Sequence, residues 1–287
     1  CGPRGDAMKL ASSTWNFTEE LEAGSLDLPG LFGELARAGC DGVEIMGYHL
    51  EAIDEAYLRG LRKQAAARGL DIAALDARNL RLGSNWADYR TDIAMIKLWI
   101  RSAAILDCPT VVAFLGGFET EGQKQRLRDL AALRECAAFA QDRGVRLGVE
   151  NPRISLTTAA VDPAGREAED LAWLMARLDS QTAGTVPDTD NVYRAQYPGL
   201  SSGERSRTLS VFAGLLRWAV HAHVKIKGSP EADEPLQFAP EEVLSVLRTG
   251  GYSGDLGFEF MKPVVGDKML VLGQTVAAYR RALAKEC

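Results

Sequence analysis

Five short apolar runs in this 287-residue chain end on, or carry, a side chain that can hold a metal or move a proton. The first is Gly42-Val43-Glu44-Ile45, and the second is Gly148-Val149-Glu150, followed by Asn151-Pro152. The third is Val186-Pro187-Asp188, followed by Thr189-Asp190-Asn191. His221-Ala222-His223-Val224-Lys225 is the fourth, and Gly257-Phe258-Glu259-Phe260 the fifth. A charged group inside an apolar run must find a partner or a metal, because leaving water uncompensated costs several kcal/mol. Glu150, Asp188, His223 and Glu259 together form a hard, mostly oxygen-donor set. Such a set suits Mn²⁺ first, with Mg²⁺, Co²⁺ and Zn²⁺ also compatible, and leaves room for two substrate oxygens. Two of the four are glutamates, side chains that can act as a general acid or base.

Each position also has a purely structural reading. Glu150 could be half of an ion pair, and Asp188 sits in a turn-prone Asp-Thr-Asp-Asn stretch. His223 could be a satisfied core histidine. The placement of each at the end of an apolar run weighs toward a ligand. Glu259, between two phenylalanines, is costly unless it binds something. Glu44 stays open between a contact to a substrate hydroxyl and a partner standing behind a ligand.

The elements that would position these residues recur along the whole length. Strand-like runs cover Lys9–Trp15, Gly42–Ile45, Leu70–Leu75, Thr110–Leu115, Val145–Glu150, Gly184–Asp188, Ala222–Ile226 and Leu256–Phe260. Between them lie apolar stripes at helical spacing: Ile93, Ile96, Ile100 and Ala104; Leu130, Leu133, Ala137 and Ala140; Leu272, Val276, Tyr279 and Leu283. Glycines at 39, 69, 144 and 250–251 stand where a helix must stop before the next strand. Strand then helix, repeated eight times, predicts an α/β fold, a (β/α)8 TIM barrel in a single domain over residues 8–287. An open doubly wound sheet would more often carry a Gly-rich first turn, and Ser12-Ser13-Thr14-Trp15-Asn16 has none. Residues 1–7 read as a tag remnant or disordered extension before Met8. Pro198–Arg207, polar and rich in Gly and Ser, reads as a loop extension after the sixth strand.

Composition narrows the functional classes. Hydrophobic residues make up 46% and charged residues 25%, the mixture of a globular protein. Lys plus Arg number 33 against 39 Asp plus Glu, a net charge of −6, which disfavours nucleic-acid binding through phosphate neutralisation. No apolar run approaches the ~20 residues of a membrane span. Cys1, Cys40, Cys108, Cys136 and Cys287 form no close pair, which reads as reduced thiols in a cytoplasmic protein. There is no P-loop and no Gly-x-Gly-x-x-Gly, so no nucleotide cofactor is implied.

At Glu150-Asn151, Asp188-Thr-Asp-Asn191, His223-Val-Lys225 and Glu259 the chain resembles the xylose-isomerase-like TIM-barrel superfamily of sugar isomerases and epimerases. The resemblance runs over nearly the whole chain from Met8. It implies one divalent metal held by Glu150, Asp188, His223 and Glu259. It also implies a carbohydrate or cyclitol substrate deprotonated through a metal-stabilised enediolate, with Glu150 and Glu259 as the acid/base pair. Lys225, Glu44, Arg153, His221 and Asn191 then stand as substrate contacts. Trp15 either stacks on a sugar face or packs the barrel. Three departures bear on those contacts: Pro152 and Asn191 replace common histidines, and Ile226 replaces a common aspartate. Two other outcomes use the same scaffold, a dehydratase of inosose or dehydroshikimate type and a non-catalytic sugar-binding relative. Only three histidines are present, against the several of the family's trinuclear DNA-repair nuclease. Barrels of this kind form homodimers and homotetramers, and the sequence does not choose between them.

Overall fold

Why each strand starts where it does is visible in the turns before it. In a computed structural model that describes residues 8–82, 89–115, 123–151, 163–178, 180–189, 202–228, 238–261 and 266–285, five helices stop at a glycine in the left-handed region. Gly39 (φ 85°) and Gly144 (φ 65°) are two of them, and the chain turns from there into the next strand. All eight expected runs are strands. They are β1 Leu10–Ser13, β2 Gly42–Met46, β3 Asp71–Leu82, β4 Thr110–Leu115, β5 Arg146–Glu150, β6 Ala183–Val186, β7 Ala222–Ile226 and β8 Leu256–Phe260. The helices are α1 Thr18–Glu22, α2 Leu28–Arg37, α3 Glu55–Ala66, α4 Tyr89–Leu106, α5 Gln123–Gln141, α6 Pro163–Leu178, α7 Ser202–Leu216, α8 Pro240–Thr249 and α9 Lys268–Ala284.

Among the described residues the paired strands are all parallel, in the order β6-β5-β4-β3-β2-β1-β8-β7. Backbone bonds close the ring between β6 and β7: Val220 N donates to Thr185 O (3.0 Å) and His223 N to Pro187 O (2.8 Å). This is the TIM barrel that the eightfold repeat predicts.

Strand alternation separates two environments. Outward residues such as Val43, Ile45, Leu147, Val149, Val224 and Phe258 join one large apolar cluster with the helices. Inward positions alternate with them, and on β2, β5 and β8 they read glycine, then glutamate: Gly42 and Glu44, Gly148 and Glu150, Gly257 and Glu259. The narrow interior explains the glycines. A Cβ on Gly148 would sit 2.4 Å from Val186 Cγ2, and one on Gly184 would sit 2.1 Å from Trp218 O.

Several expectations shift. Helix α4 buries Ala103 rather than Ala104, because its stripe turns by three residues instead of four at that point. Trp15 does not end β1; it lies in a 3-10 turn, Thr14–Phe17, held by Trp15 N donating to Ser13 Oγ (3.2 Å). The loop expected at Pro198–Arg207 becomes helix α7 from Ser202, and residues 198–201 lie outside those described. Residues 1–7 and Cys287 lie outside them too. Cys40, Cys108 and Cys136 are buried free thiols, each pushed up to about 12 by burial, so they pack as apolar groups. No described helix is long and apolar enough to cross a membrane.

Two glycine substitutions should move stability in opposite directions. Gly184→Ala drives a methyl into the Trp218 carbonyl and should cost about 1–3 kcal/mol or more. Gly60→Ala in α3, where nothing lies within 4 Å, should gain about 0.5–1 kcal/mol. Urea midpoints of the two variants check both signs.

Candidate active site

Strand register carries the polar side chains to one end of the barrel. Pairing of β7 with β8 sets His223 beside Gly257 and Lys225 beside Glu259. Asp188 lies two residues beyond β6, where a bridge to His223 holds it. Asn151, just past β5, fixes it further: its Oδ1 accepts from Asp188 N at 2.9 Å. Asn16 ties the end of β8 to the turn after β1, accepting from Phe260 N (2.6 Å) and donating to Phe258 O (2.9 Å). Glu259 is thus clamped from the β1 side.

The result is a dense, dry cluster of charge. Glu44, Asp76, Glu150, Asp188 and Glu259 are all 0% exposed. Ligand atoms of Glu150, Asp188, His223 and Glu259 lie within 4.8 Å of one another, and these four could hold a cation. Lys225 Nζ lies 2.9 Å from Asp188 Oδ2 and donates to Glu259 Oε2. Glu44 Oε2 meets His223 Nε2 at 2.8 Å and His221 Nε2 at 3.1 Å. Among the described residues His223 Nδ1 has no hydrogen-bond partner; Glu150 Oε1 stands 3.5 Å away and Asp188 Oδ2 3.8 Å away. A buried ring nitrogen facing two carboxylates at that spacing fits a divalent cation between them.

Electrostatics follow from the burial. Burial pushes the Glu150 carboxyl up; His223 offsets part of this, while Asp188 and Glu259 add to it. At Glu44 burial works the same way but is overcome by the charge of His223 and hydrogen bonds from both histidines, which hold it well below the usual range. Burial disfavours the His223 imidazolium, yet Glu44, Glu150 and Glu259 outweigh it and raise its pKa well above the usual value.

A family model described as "Xylose isomerase-like TIM barrel" matches residues 32–282. The chain belongs to this family. Among solved structures, the xylose isomerase-like barrel is similar to a D-psicose 3-epimerase in the presence of D-fructose, at TM-score 0.67 and 17% identity, covering 97% of this chain and 98% of that one. It is similar to an L-ribulose 3-epimerase, at TM-score 0.68 and 18% identity, covering 97% of each chain. A xylose isomerase-like TIM barrel protein from Mycobacterium smegmatis in complex with magnesium matches at TM-score 0.69 and 15% identity, again over 97% of each. At such identities these likenesses show the fold. Among curated proteins no sequence matches.

In this xylose isomerase-like barrel the expected substrate contacts are placed unevenly. Lys225 reaches the cluster, with 9% of its side chain exposed. Glu44 and His221 reach it too, but as partners of one another on its inner side. Trp15 is half-buried in the turn after β1. Arg153 and Asn191 lie outside the described residues.

Sequence reasoning passed over Asp76, which is fully buried on β3 and within ligand reach of Glu44 and Glu259. The signal was present, an acid closing the apolar run Ile72-Ala73-Ala74-Leu75, but the expected strand stopped one residue short. Asn151 stood out in the sequence only as part of the Glu150-Asn151 motif; its bond to Asp188, like those of Asn16, depends on loops and strands meeting in space.

Lys225 bridges two carboxylates that have no access to water. Lys225→Met should destabilise the metal-free protein by about 3–5 kcal/mol, the usual cost of stripping one partner from a buried ion pair. Chemical denaturation without added metal measures it.

Proposed function

We propose that this chain is a divalent-metal-dependent isomerase or epimerase of a ketose or related polyol, with Glu150 and Glu259 as its acid/base pair. The observation that carries this reading is the convergence of Glu150, Asp188, His223 and Glu259 within ligand distance inside one buried ring. Two described similar structures are sugar 3-epimerases, one of them with a ketohexose present, and a third holds magnesium. These likenesses support the substrate class and the choice of a hard cation.

Glu150, Asp188, His223 and Glu259 would hold the cation. When bound, it supplies Lewis acidity that draws negative charge onto the substrate oxygens and acidifies the C–H between them. The remaining work belongs to side chains. Glu150 and Glu259 come from β5 and β8, so they approach the ring from different sides of the barrel. One takes the proton from the carbon beside the carbonyl, and the other carries the proton that is returned. In the reverse reaction the two exchange roles. Return to the same carbon from the other face gives epimerisation, and return to the neighbouring carbon gives isomerisation. Lys225 Nζ holds Glu259 and Asp188 in place and lends positive charge to the side where negative charge develops. The walls of the site are strand residues that are fully buried, which excludes water that would compete for the proton.

Proton NMR in D₂O with Mg²⁺-reconstituted protein and a panel of ketoses, inososes and keto acids tests this directly. Deuterium should enter beside the carbonyl of at least one ketose. Glu150→Gln and Glu259→Gln should each slow turnover about 10²–10⁴-fold while substrate still binds. Full activity in either variant would remove the two-carboxylate mechanism. A product that has lost water would move the assignment to a dehydratase. A chelator should abolish exchange, and activity that survives it would reject the metal requirement.

A further inference from the structure

We infer that Glu44 is a positioning residue: it fixes the ring of His223 so that Nδ1 is presented to the cation, and the glycine at 257 exists to make room for that contact. The inference rests on the proposed cation site at Glu150, Asp188, His223 and Glu259. It replaces the alternative in which Glu44 binds a substrate hydroxyl.

The argument begins with hydrogen-bond capacity. One carboxylate oxygen, Glu44 Oε2, touches two imidazole nitrogens, His223 Nε2 at 2.8 Å and His221 Nε2 at 3.1 Å. A carboxylate oxygen accepts, so both Nε2 atoms donate and carry hydrogen. That assigns the other nitrogen of His223, Nδ1, to the side facing Glu150 Oε1 and Asp188 Oδ2. Metal-bound histidines characteristically have their second nitrogen held this way by a carboxylate, which sets both tautomer and ring angle. The two rings stand edge to face at 86° with centroids 5.2 Å apart, so His221 buttresses His223 as well as sharing its acceptor.

Glu150 and Glu259 are as deeply buried as Glu44, so what separates Glu44 from a substrate is that its Oε2 is already taken by two buried imidazoles. Glu44 is 0% exposed, His221 1% and His223 0%. A substrate hydroxyl reaching Glu44 Oε2 would have to displace one of two imidazoles. Backbone geometry supports the same reading from β8. A Cβ on Gly257 would lie 2.9 Å from His221 Nε2, 2.9 Å from His223 Cδ2 and 3.0 Å from Glu44 Oε2. A side chain at 257 therefore collides with all three members of the relay at once, while its neighbours Leu256 and Phe258 point into the apolar cluster. Glycine at this position is explained by the relay.

The experiment uses the full chain with Co²⁺ or Mg²⁺ as the probe. Isothermal titration should give one Co²⁺ per chain for the wild type, and a dissociation constant weakened about 10–100-fold in Glu44→Gln and in Gly257→Ala. In ¹⁵N-histidine spectra of the Mg²⁺-saturated wild type, His223 should carry its proton on Nε2. The downfield Nε2–H resonances of His221 and His223 should both move upfield in Glu44→Gln. Where turnover is measurable at saturating metal, KM should stay within about twofold of wild type in Glu44→Gln. Near-UV circular dichroism identifies folded variants, and Glu44→Gln, close to the same shape, answers the question if Gly257→Ala does not fold.

The overturning results are separable. A raised KM at saturating metal would return Glu44 to substrate binding. Unchanged Co²⁺ affinity in both variants, with wild-type binding intact, would remove the positioning role alone. Two Co²⁺ per chain falling to one in Glu44→Gln would make Glu44 itself a ligand, through the Oε1 that has no hydrogen-bond partner among the described residues. No cation binding by the wild type would instead remove the metal reading on which the inference stands.

Discussion

Five buried carboxylates share one end of this barrel, and much of the surrounding structure answers that fact. Bringing one ionised carboxylate out of water costs several kcal/mol even after the protein relaxes, and like charges at ligand distance add to the cost. Among the described residues in the cluster, positive charge comes from Lys225 and from the histidines when protonated. The proposed divalent cation would supply what they lack. Such an arrangement does not stabilise the fold by itself; the apolar girdle between strands and helices must carry it.

That girdle and the charged end are products of the same alternation. Along β5, β7 and β8 every second residue enters the apolar cluster, and the residues between them face the barrel axis. The axis is narrow, so the inward positions below the glutamates are glycines, and the glutamates occupy the layer where the barrel opens. Small below and charged above is therefore one geometric solution: a floor closed by backbone, with Glu44, Glu150, His223 and Glu259 fixed on strands and Asp188 held just beyond one. Side chains on strands hold their positions better than side chains on loops, which suits any chemistry that needs groups held in fixed relation. The barrel itself tolerates deep sequence change, as the likeness in fold to two 3-epimerases at 17% and 18% identity shows.

The strand count, the order of elements, the helix stops and the charged strand ends were all legible in the sequence. Each is local: hydrophobic period, glycine placement and an acid closing an apolar run can be read in windows of ten residues or so. Boundaries were less legible. Trp15 leaves the strand because Ser13 captures its backbone N–H, and the stretch after residue 202 becomes helix although its composition reads as a loop. Asp76 escaped notice because β3 runs beyond the apolar stretch that announced it.

What the sequence determined by itself is which chemistry was available: a Glu, Asp, His and Glu set spaced by the strand repeat, with a lysine two residues after the histidine. What only the tertiary structure decided is how these groups divide the work. Glu44 and His221 stand 177 positions apart in the chain, yet one oxygen joins them with His223. Lys225 selects Glu259 because β7 and β8 pair in that register, and Asn151 holds Asp188 because β5 and β6 end side by side. Hydrogen-bond partners depend on angles and distances of a few tenths of an ångström across strands. A one-dimensional pattern fixes which face a side chain takes; the closed barrel fixes which neighbour it meets.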